Sequence, residues 1–324
     1  MTEHSQLATE TQQGGKAVIL QLEGLTDELY IAPSTRSRAA HSLLQARYPV
    51  VALFILGIVI LLAIFAGQLA PKDPNRRDIF VILKPPLSLN DEGQMEFILG
   101  TDQIGRDVLS RLIFGARISL AVGVIAVGFG GLVGTLLGVL AGYLGGRVDD
   151  VIMRLADIQL AFPFILFAIM ILSVLGEGVL NLVLILGIGQ WVVYARVARA
   201  ETLAQRENDY VVAVRALGAS EARIMMHEIL PNIFAPLIVI ASFNVAGVIL
   251  SEASLSFLGL GVPPSVPTWG AMLADSRDQL LGGFWWLAVF PGVAIMLTVV
   301  SINVLGDWLR DFLDPRLRGS GRGL

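Results

Sequence analysis

"RALGASEARIMMHEILPN", residues 215–232, is a polar, helix-prone stretch with four charged side chains, set between two strongly apolar runs at about 180–197 and 233–258. Ala, Leu, Arg, Glu and Met favour helix. Gly218 falls in mid-stretch, where it ends a helix or lets the chain bend. Ser220 stands three residues before Arg223, an N-cap position for a second helix. Pro231 breaks that helix just before the next apolar run. The expected shape is a short helix, a glycine bend, another short helix and then a long apolar segment.

Those flanking runs belong to a wider pattern. Of the 324 residues 55% are hydrophobic and 15% charged, with a mean hydropathy of +0.71. Soluble chains carry about a quarter of their residues charged, so lipid is the expected solvent for most of this one. A spanning helix needs roughly 20 mostly apolar residues. Six candidates meet this: about 49–70, 118–144, 159–175, 180–197, 233–258 and 284–305. With a cytoplasmic N-terminus, fifteen of the 23 Lys and Arg fall in inside segments and eight outside. This bias places both termini in the cytoplasm. Residues 198–232 are then the longest inside loop between spans.

The divisions follow. Residues 1–36 form a polar cytoplasmic tail, in which "AVILQLEGL" (17–25) allows one short amphipathic element. Residues 37–70 combine an interfacial segment with the first span. "RSRAAHSLLQARY" (36–48) suits either a helix on the membrane surface or plain positive-inside anchoring. Residues 71–116 form an extracytoplasmic loop and 117–306 a core of five spans. Residues 307–324 form a cytoplasmic tail. The start of the chain lacks the pattern of a cleavable signal peptide. In the second span Gly130, Gly134, Gly138 and Gly142 repeat every fourth residue, widened by Gly128 and Gly131. On a helix this makes a small-residue stripe against which another helix can pack closely.

Several chemistries are excluded. There are no cysteines, so neither disulfides nor thiolate metal sites form. A net charge of −4 gives no reason to expect nucleic acid. No G-x-x-x-x-G-K-[ST] loop is present, and Gly14-Gly15-Lys16 lacks its spacing. His227-Glu228 lacks the second histidine of a zinc site because Pro231 follows, so no metal is expected.

"AVRALGASEARIMMHEILPN" resembles the cytoplasmic loop motif of ABC importer permeases, EAA, three residues, Gly, about nine residues, then I-x-L-P. Val212-Ala213-Val214 occupy the EAA place, Gly218 the glycine, and Leu230-Pro231 the end. Val212 replaces the leading Glu, and the isoleucine has moved to Ile229. Three more stretches are similar to the C-type subunit of the dipeptide/oligopeptide/nickel permeases: "LGTDQIGRDVLSRLIFGARISL" (99–120), "SEASLSFLGLGVPPSVPTWGAML" (251–273) and "NVLGDWLRDFLDPRLR" (303–318). The resemblance covers about residues 37–318. It implies an all-α membrane protein with six transmembrane helices and the type I ABC importer permease fold, multi-pass in the cell inner (plasma) membrane.

The resemblance further implies a transport subunit that is not itself an enzyme. It would form half of a translocation pathway for dipeptides or oligopeptides, with nickel or another small solute as the alternative. Its partners would be a homologous second permease, two ATP-binding subunits, an extracytoplasmic substrate-binding protein and membrane lipid. The chain would hold no cofactor, ATP being bound by the partners. Arg215, Ala216, Leu217, Gly218, Ala219, Ser220, Glu221 and Arg223 would couple to the ATPase. Ala216, Leu217 and Ala219 would pack in its groove, and Arg215, Glu221 and Arg223 would frame it with charge. An ion-driven secondary transporter is the rival reading, and it requires two related halves that are not visible here.

Other polar residues carry open alternatives. Glu252 and Asn244 in the fifth span fit either the translocation path or helix packing. Asp149 and Asp150, with Arg147 and Arg154, read as a solvated charge cluster. The 71–116 loop is turn-rich and reads as a binding-protein dock combined with a compact cap, with no single residue standing out.

Overall fold

The computed structural model describes residues 47–89 and 92–313. The expected 17–25 element and nearly all of the 36–48 segment lie outside them, as does the chain beyond 313. Helix α1 (Arg47–Ile64) is followed closely by a one-turn α2 (Ala66–Leu69). After a 3-10 turn at Ile79–Val81, strands β1 (Ser88–Leu89) and β2 (Met95–Phe97) pair antiparallel, with Ser88 opposite Phe97. Then come α3 (Val108–Leu144), α4 (Gly146–Leu160), α5 (Phe164–Leu175) and α6 (Val179–Gln205). The chain ends with α7 (Asp209–Ala216), α8 (Glu221–Arg223), a π-helical turn (Ile224–Ile229), α9 (Phe234–Phe257), α10 (Trp269–Leu280) and α11 (Trp286–Leu313).

The four-residue glycine repeat sets the central helix pair. A β-carbon at Gly130 would stand 2.3 Å from the Gly187 carbonyl oxygen, and one at Gly134 2.2 Å from that of Trp191. At Gly138 it would stand 2.3 Å from the Ala195 oxygen, and at Gly142 2.7 Å from that of Arg199. Without side chains α3 lies directly on the α6 backbone for about three turns. Gly131 faces the Tyr194 ring instead, and Gly128 faces open space. Both residue numbers rise together along the stripe, so α3 and α6 run parallel. Parallel neighbours need a return crossing. At 1.5 Å per residue, the chain climbs about 33 Å between the end of α3 and the start of α6, close to the roughly 30 Å hydrocarbon thickness.

That return is the third span, and it is not the single helix 159–175. The chain lies along α4, turns 87° and rises as the 12-residue α5. Pro163 sits in the break, lacking an N–H and holding its neighbour out of helical geometry. Helix α9 runs antiparallel to α3, since Ser119 meets Glu252 while Gly123 meets Ile249. Trp286 at the start of α11 donates to the Thr101 carbonyl just before α3. The end of α1 lies beside the start of α3. Among the described residues α3, α6, α9 and α11 are long and apolar enough to cross a membrane, and α4 with α5 makes a fifth crossing if taken as one span. Helix α1 is a shorter apolar helix where the sequence suggested a sixth, and successive members alternate in direction. The lower face carries the starts of α1 and α9 and the end of α11; the upper face carries 70–107 and α10.

Helices outrun the expected spans at their charged ends. Helix α3 begins ten residues before Ile118, α6 continues eight residues past Val197, and α11 reaches Leu313. Charged residues such as Arg111 and Arg199 mark the limit of lipid rather than the limit of helix. The loop at the lower face therefore begins after Gln205, not at Ala198. Helix α10 is an addition to the expected elements. Its Thr268 side chain accepts from the Ala271 N–H at 3.0 Å, an N-cap hidden in a Gly- and Pro-rich stretch.

Candidate functional site

At the lower face the segment after α6 folds as a hairpin of helices. Gly218 has φ +83°, and a β-carbon there would meet nothing within 4 Å, so it turns the chain in open space. Ser220 caps α8, accepting from the Arg223 N–H at 3.4 Å. Val211, Ile224, Ile229 and Ile233 are fully buried and hold the hairpin to the bundle. Leu217 at the tip is 87% exposed, and Ala216, Gly218, Ser220, Glu221 and Arg223 are exposed beside it. Ala219 turns inward against the core, so the apolar tip consists of Ala216 and Leu217. Arg215 leans over the Tyr143 ring, 5.6 Å from its centre.

The base of the hairpin is fastened by polar contacts that the sequence did not reveal. The Tyr210 hydroxyl donates to Gln205 Oε1 (2.9 Å), and Asn232 Nδ2 donates to the Tyr210 hydroxyl (3.3 Å) and the Glu228 carbonyl (2.6 Å). The entering and leaving ends are thereby tied together. The π-helical turn at Ile224–Ile229 lies between them, a geometry often found at functional positions. Arg206 donates to the Gly142 carbonyl at 3.0 Å, joining the segment to the end of α3. Asp149 does not join a cluster with Arg147 and Arg154. It pairs with Arg199 of α6, and Asp157 pairs with Arg196 at 2.6 Å. The near-parallel glycine packing brings these helix ends together, so α4 is held by ion pairs to α6.

At the upper face four charged residues converge. Asp102 accepts from the Ile104 and Arg106 N–H groups at 3.0 and 2.9 Å and from Arg106 Nε at 2.5 Å. Arg106 reaches Asp275 of α10 at 2.9 Å and the Pro264 carbonyl at 3.2 Å. Arg111 lies 3.5 Å from Asp275. Gly105 has φ +76°, and a β-carbon there would strike the Asp78 carbonyl at 1.8 Å. This latch clamps the 71–107 loop to α10 of the same chain. Residues of that loop do stand out, contrary to expectation, because "TDQIGRD" supplies both members of a buried ion pair.

The two polar residues of α9 lie apart, eight residues and about 12 Å along the helix. Glu252 is fully buried, its carboxylate accepting from Ser256 (2.8 Å) and Ser119 (3.3 Å). Asn244 neighbours Tyr194, yet neither Asn244 Nδ2 nor the Tyr194 hydroxyl has a hydrogen-bond partner among the described residues. Tyr194 also lines an apolar groove of about 590 Å³ between α3, α6 and α9, with Gly128, Gly131 and Phe234. Leu230 and Pro231 floor this groove, so it opens directly above the helical hairpin.

Residues 134–319 match the family described as binding-protein-dependent transport system inner membrane component. The chain belongs to that family. As a member it is a membrane permease component of a transport system. Residues 34–86 match the N-terminal TM domain of oligopeptide transport permease C. The chain is 43% identical, over 83% of its length and 88% of the relative's, to the di/tripeptide transport system permease protein DppC of Pseudomonas aeruginosa. It is 44% identical to the dipeptide transport system permease protein DppC of Escherichia coli K12, covering 83% and 89%. It is 42% identical to the glutathione transport system permease protein GsiD of Escherichia coli O6:K15:H31, covering 83% and 86%. A chain in an inward-facing structure of the MetNI methionine ABC transporter shares the fold, with TM-score 0.52, 19% identity and coverage of 63% and 96%. The permease therefore has the type I ABC importer fold.

Proposed function

We propose that this permease imports dipeptides or short peptides as the C-type subunit of an ATP-driven importer, with its lower face in the cytoplasm. Relatives named for dipeptides, di/tripeptides and glutathione support the substrate class. Nickel chelates are the alternative cargo. The lower-face orientation rests on the bias of Lys and Arg toward that side. The partners are a homologous permease, two ATP-binding subunits and an extracytoplasmic binding protein, and the chain itself holds no cofactor.

One observation carries the coupling role. Leu217 stands 87% exposed at the tip of a hairpin anchored by the buried Val211, Ile224 and Ile229, and is more exposed than Val212 or Met226 along its sides. An exposed leucine flanked by charged residues at a projecting tip is where we place the contact with a partner. The ATPase subunit is that partner. When the ATPase dimer closes on ATP, the hairpin base clasped by Tyr210 and Asn232 transmits the movement to α6 and α9. The groove lined by Tyr194 then opens and closes as one wall of the path. The test is purification after mild crosslinking, together with uptake of labelled dipeptide. Recovery of a second permease, with ATPase subunits linked to residues within 209–231, is expected, and uptake should require ATP. A chain recovered as a homodimer with no ATPase, or uptake driven by an ion gradient alone, would overturn the reading.

A further inference from the structure

A second groove, of about 620 Å³, opens on the opposite flank of α3, between α1, α3, α9 and α11. Its walls are apolar, formed by Leu56, Ile60, Ile64, Leu120, Val124 and Ile125. Its one charged lining residue is Arg117, which is exposed and makes no hydrogen bond or ion pair among the described residues. Concave apolar sites with one or two placed polar groups are the usual form of a ligand site.

The depth of this site selects the ligand. Arg117 lies at the top of the groove beside Ile64. On the continuous helix α3, Arg117 is six residues, about 9 Å, below Arg111. An arginine at that depth turns its guanidinium toward the headgroup layer while its stem stays in the apolar zone. From Arg117 the groove descends along α3 to Ile125, about 12 Å parallel to the helix. Charge above and apolar walls below is the order of a membrane amphiphile standing in its leaflet. An exposed arginine over apolar walls, with no counter-ion among the described residues, calls for an anion, and its planar fork fits phosphate. Basic positions between transmembrane helices bind anionic headgroups in this way.

We infer that this groove is a phospholipid site in the upper leaflet, with the phosphate on Arg117 and one acyl chain lying between α1 and α3. The inference does not depend on which face is cytoplasmic or on the cargo. The bound lipid would fill the groove beside the direct packing of α1 on α3 and add to it.

The experiment uses the full transporter complex purified from its membrane and exchanged into nanodiscs containing phosphatidylglycerol with a photoreactive group on one acyl chain. Irradiation should label peptides covering residues 56–64 and 117–125. Arg117→Gln should cut that labelling at least fivefold, while Arg117→Lys retains most of it. Ala121→Phe, at an exposed position within the groove, should also abolish it with Arg117 intact, and complex yield checks folding in each variant. Excess inorganic phosphate should not compete, since the acyl chain contributes to binding. Undiminished labelling in both Arg117→Gln and Ala121→Phe would overturn the site. So would a zero-length crosslink from the α1–α3 groove to the partner permease, which would make it a subunit interface. Displacement by inorganic phosphate would replace the lipid with a free-anion site.

Discussion

Gly134 of α3 and Trp191 of α6 approach so closely that a β-carbon on the first would stand 2.2 Å from the carbonyl oxygen of the second. Three more glycines repeat the relationship at four-residue intervals, and the resulting parallel pair forces the chain to cross back between them.

Gly134→Ala should therefore push α6 away from α3 along its length. Overpacking of a tight interface costs about 1–3 kcal/mol. A lowered melting temperature of the detergent-solubilised complex would report it. Gly128→Ala is the matched control. A β-carbon at Gly128 meets nothing within 4 Å, and alanine is the better helix former, so stability there should hold or rise slightly. Equal gains at both positions would show that helix propensity, not close packing, governs α3.

Arg106→Ala should loosen the upper face. It removes the nearer cation from Asp102 and Asp275 and leaves only the more distant Arg111, at 3.9 and 3.5 Å. Complete loss of a buried partner costs about 3–5 kcal/mol, and the remaining Arg111 places the expected cost below that range. Lysine should rescue poorly, because one ammonium cannot serve Asp102, Asp275 and the Pro264 carbonyl as the guanidinium fork does. Limited proteolysis of intact vesicles exposing the upper face measures this directly. Cleavage within 71–107 should become faster in both variants, with the lower face unaffected.

Much of this architecture is legible in the sequence, and the gaps have a common cause. Long apolar runs mark α1, α3, α6, α9 and α11 because lipid imposes hydrophobicity over a fixed length. The glycine period marks close packing because no other residue permits it. Gly218, Ser220 and Pro231 place the hairpin because turn, cap and break are local chemistry. What escapes is non-local. The ion pair of Asp149 with Arg199 joins residues 50 apart, and that of Arg106 with Asp275 joins residues 169 apart. The bend at Pro163 hides because α4 is too polar and α5 too short to read as one span. Tyr210 gave no signal, since its partners at Gln205 and Asn232 meet only after the hairpin closes.

Tyr210→Phe removes that clasp while keeping the ring. Loss of a hydrogen bond of this kind costs about 1 kcal/mol, too little to unfold the subunit. In the reconstituted importer, ATP hydrolysis should continue near the normal rate while dipeptide uptake per ATP falls several-fold. A proportionate fall in both would mean that the hydroxyl serves ATPase docking and not transmission.

The glycine at the turn separates backbone geometry from surface contact. Gly218→Val forces a β-branched residue into φ +83° although the surrounding space is empty, so any cost is backbone strain of about 1–2 kcal/mol. Gly218→Asn should be milder, since Asn enters this region more readily. Leu217→Asp leaves the backbone free but charges the exposed apolar tip. If the tip is what the ATPase grips, Leu217→Asp should abolish ATPase co-purification while the permease still inserts and pairs. Gly218→Val should then weaken coupling with partial retention of the ATPase, and Gly218→Asn should lie between Gly218→Val and the parent. Full ATPase retention by Leu217→Asp would move the grip to the charged flank at Arg215, Glu221 and Arg223, where charge reversal would have to produce the loss instead.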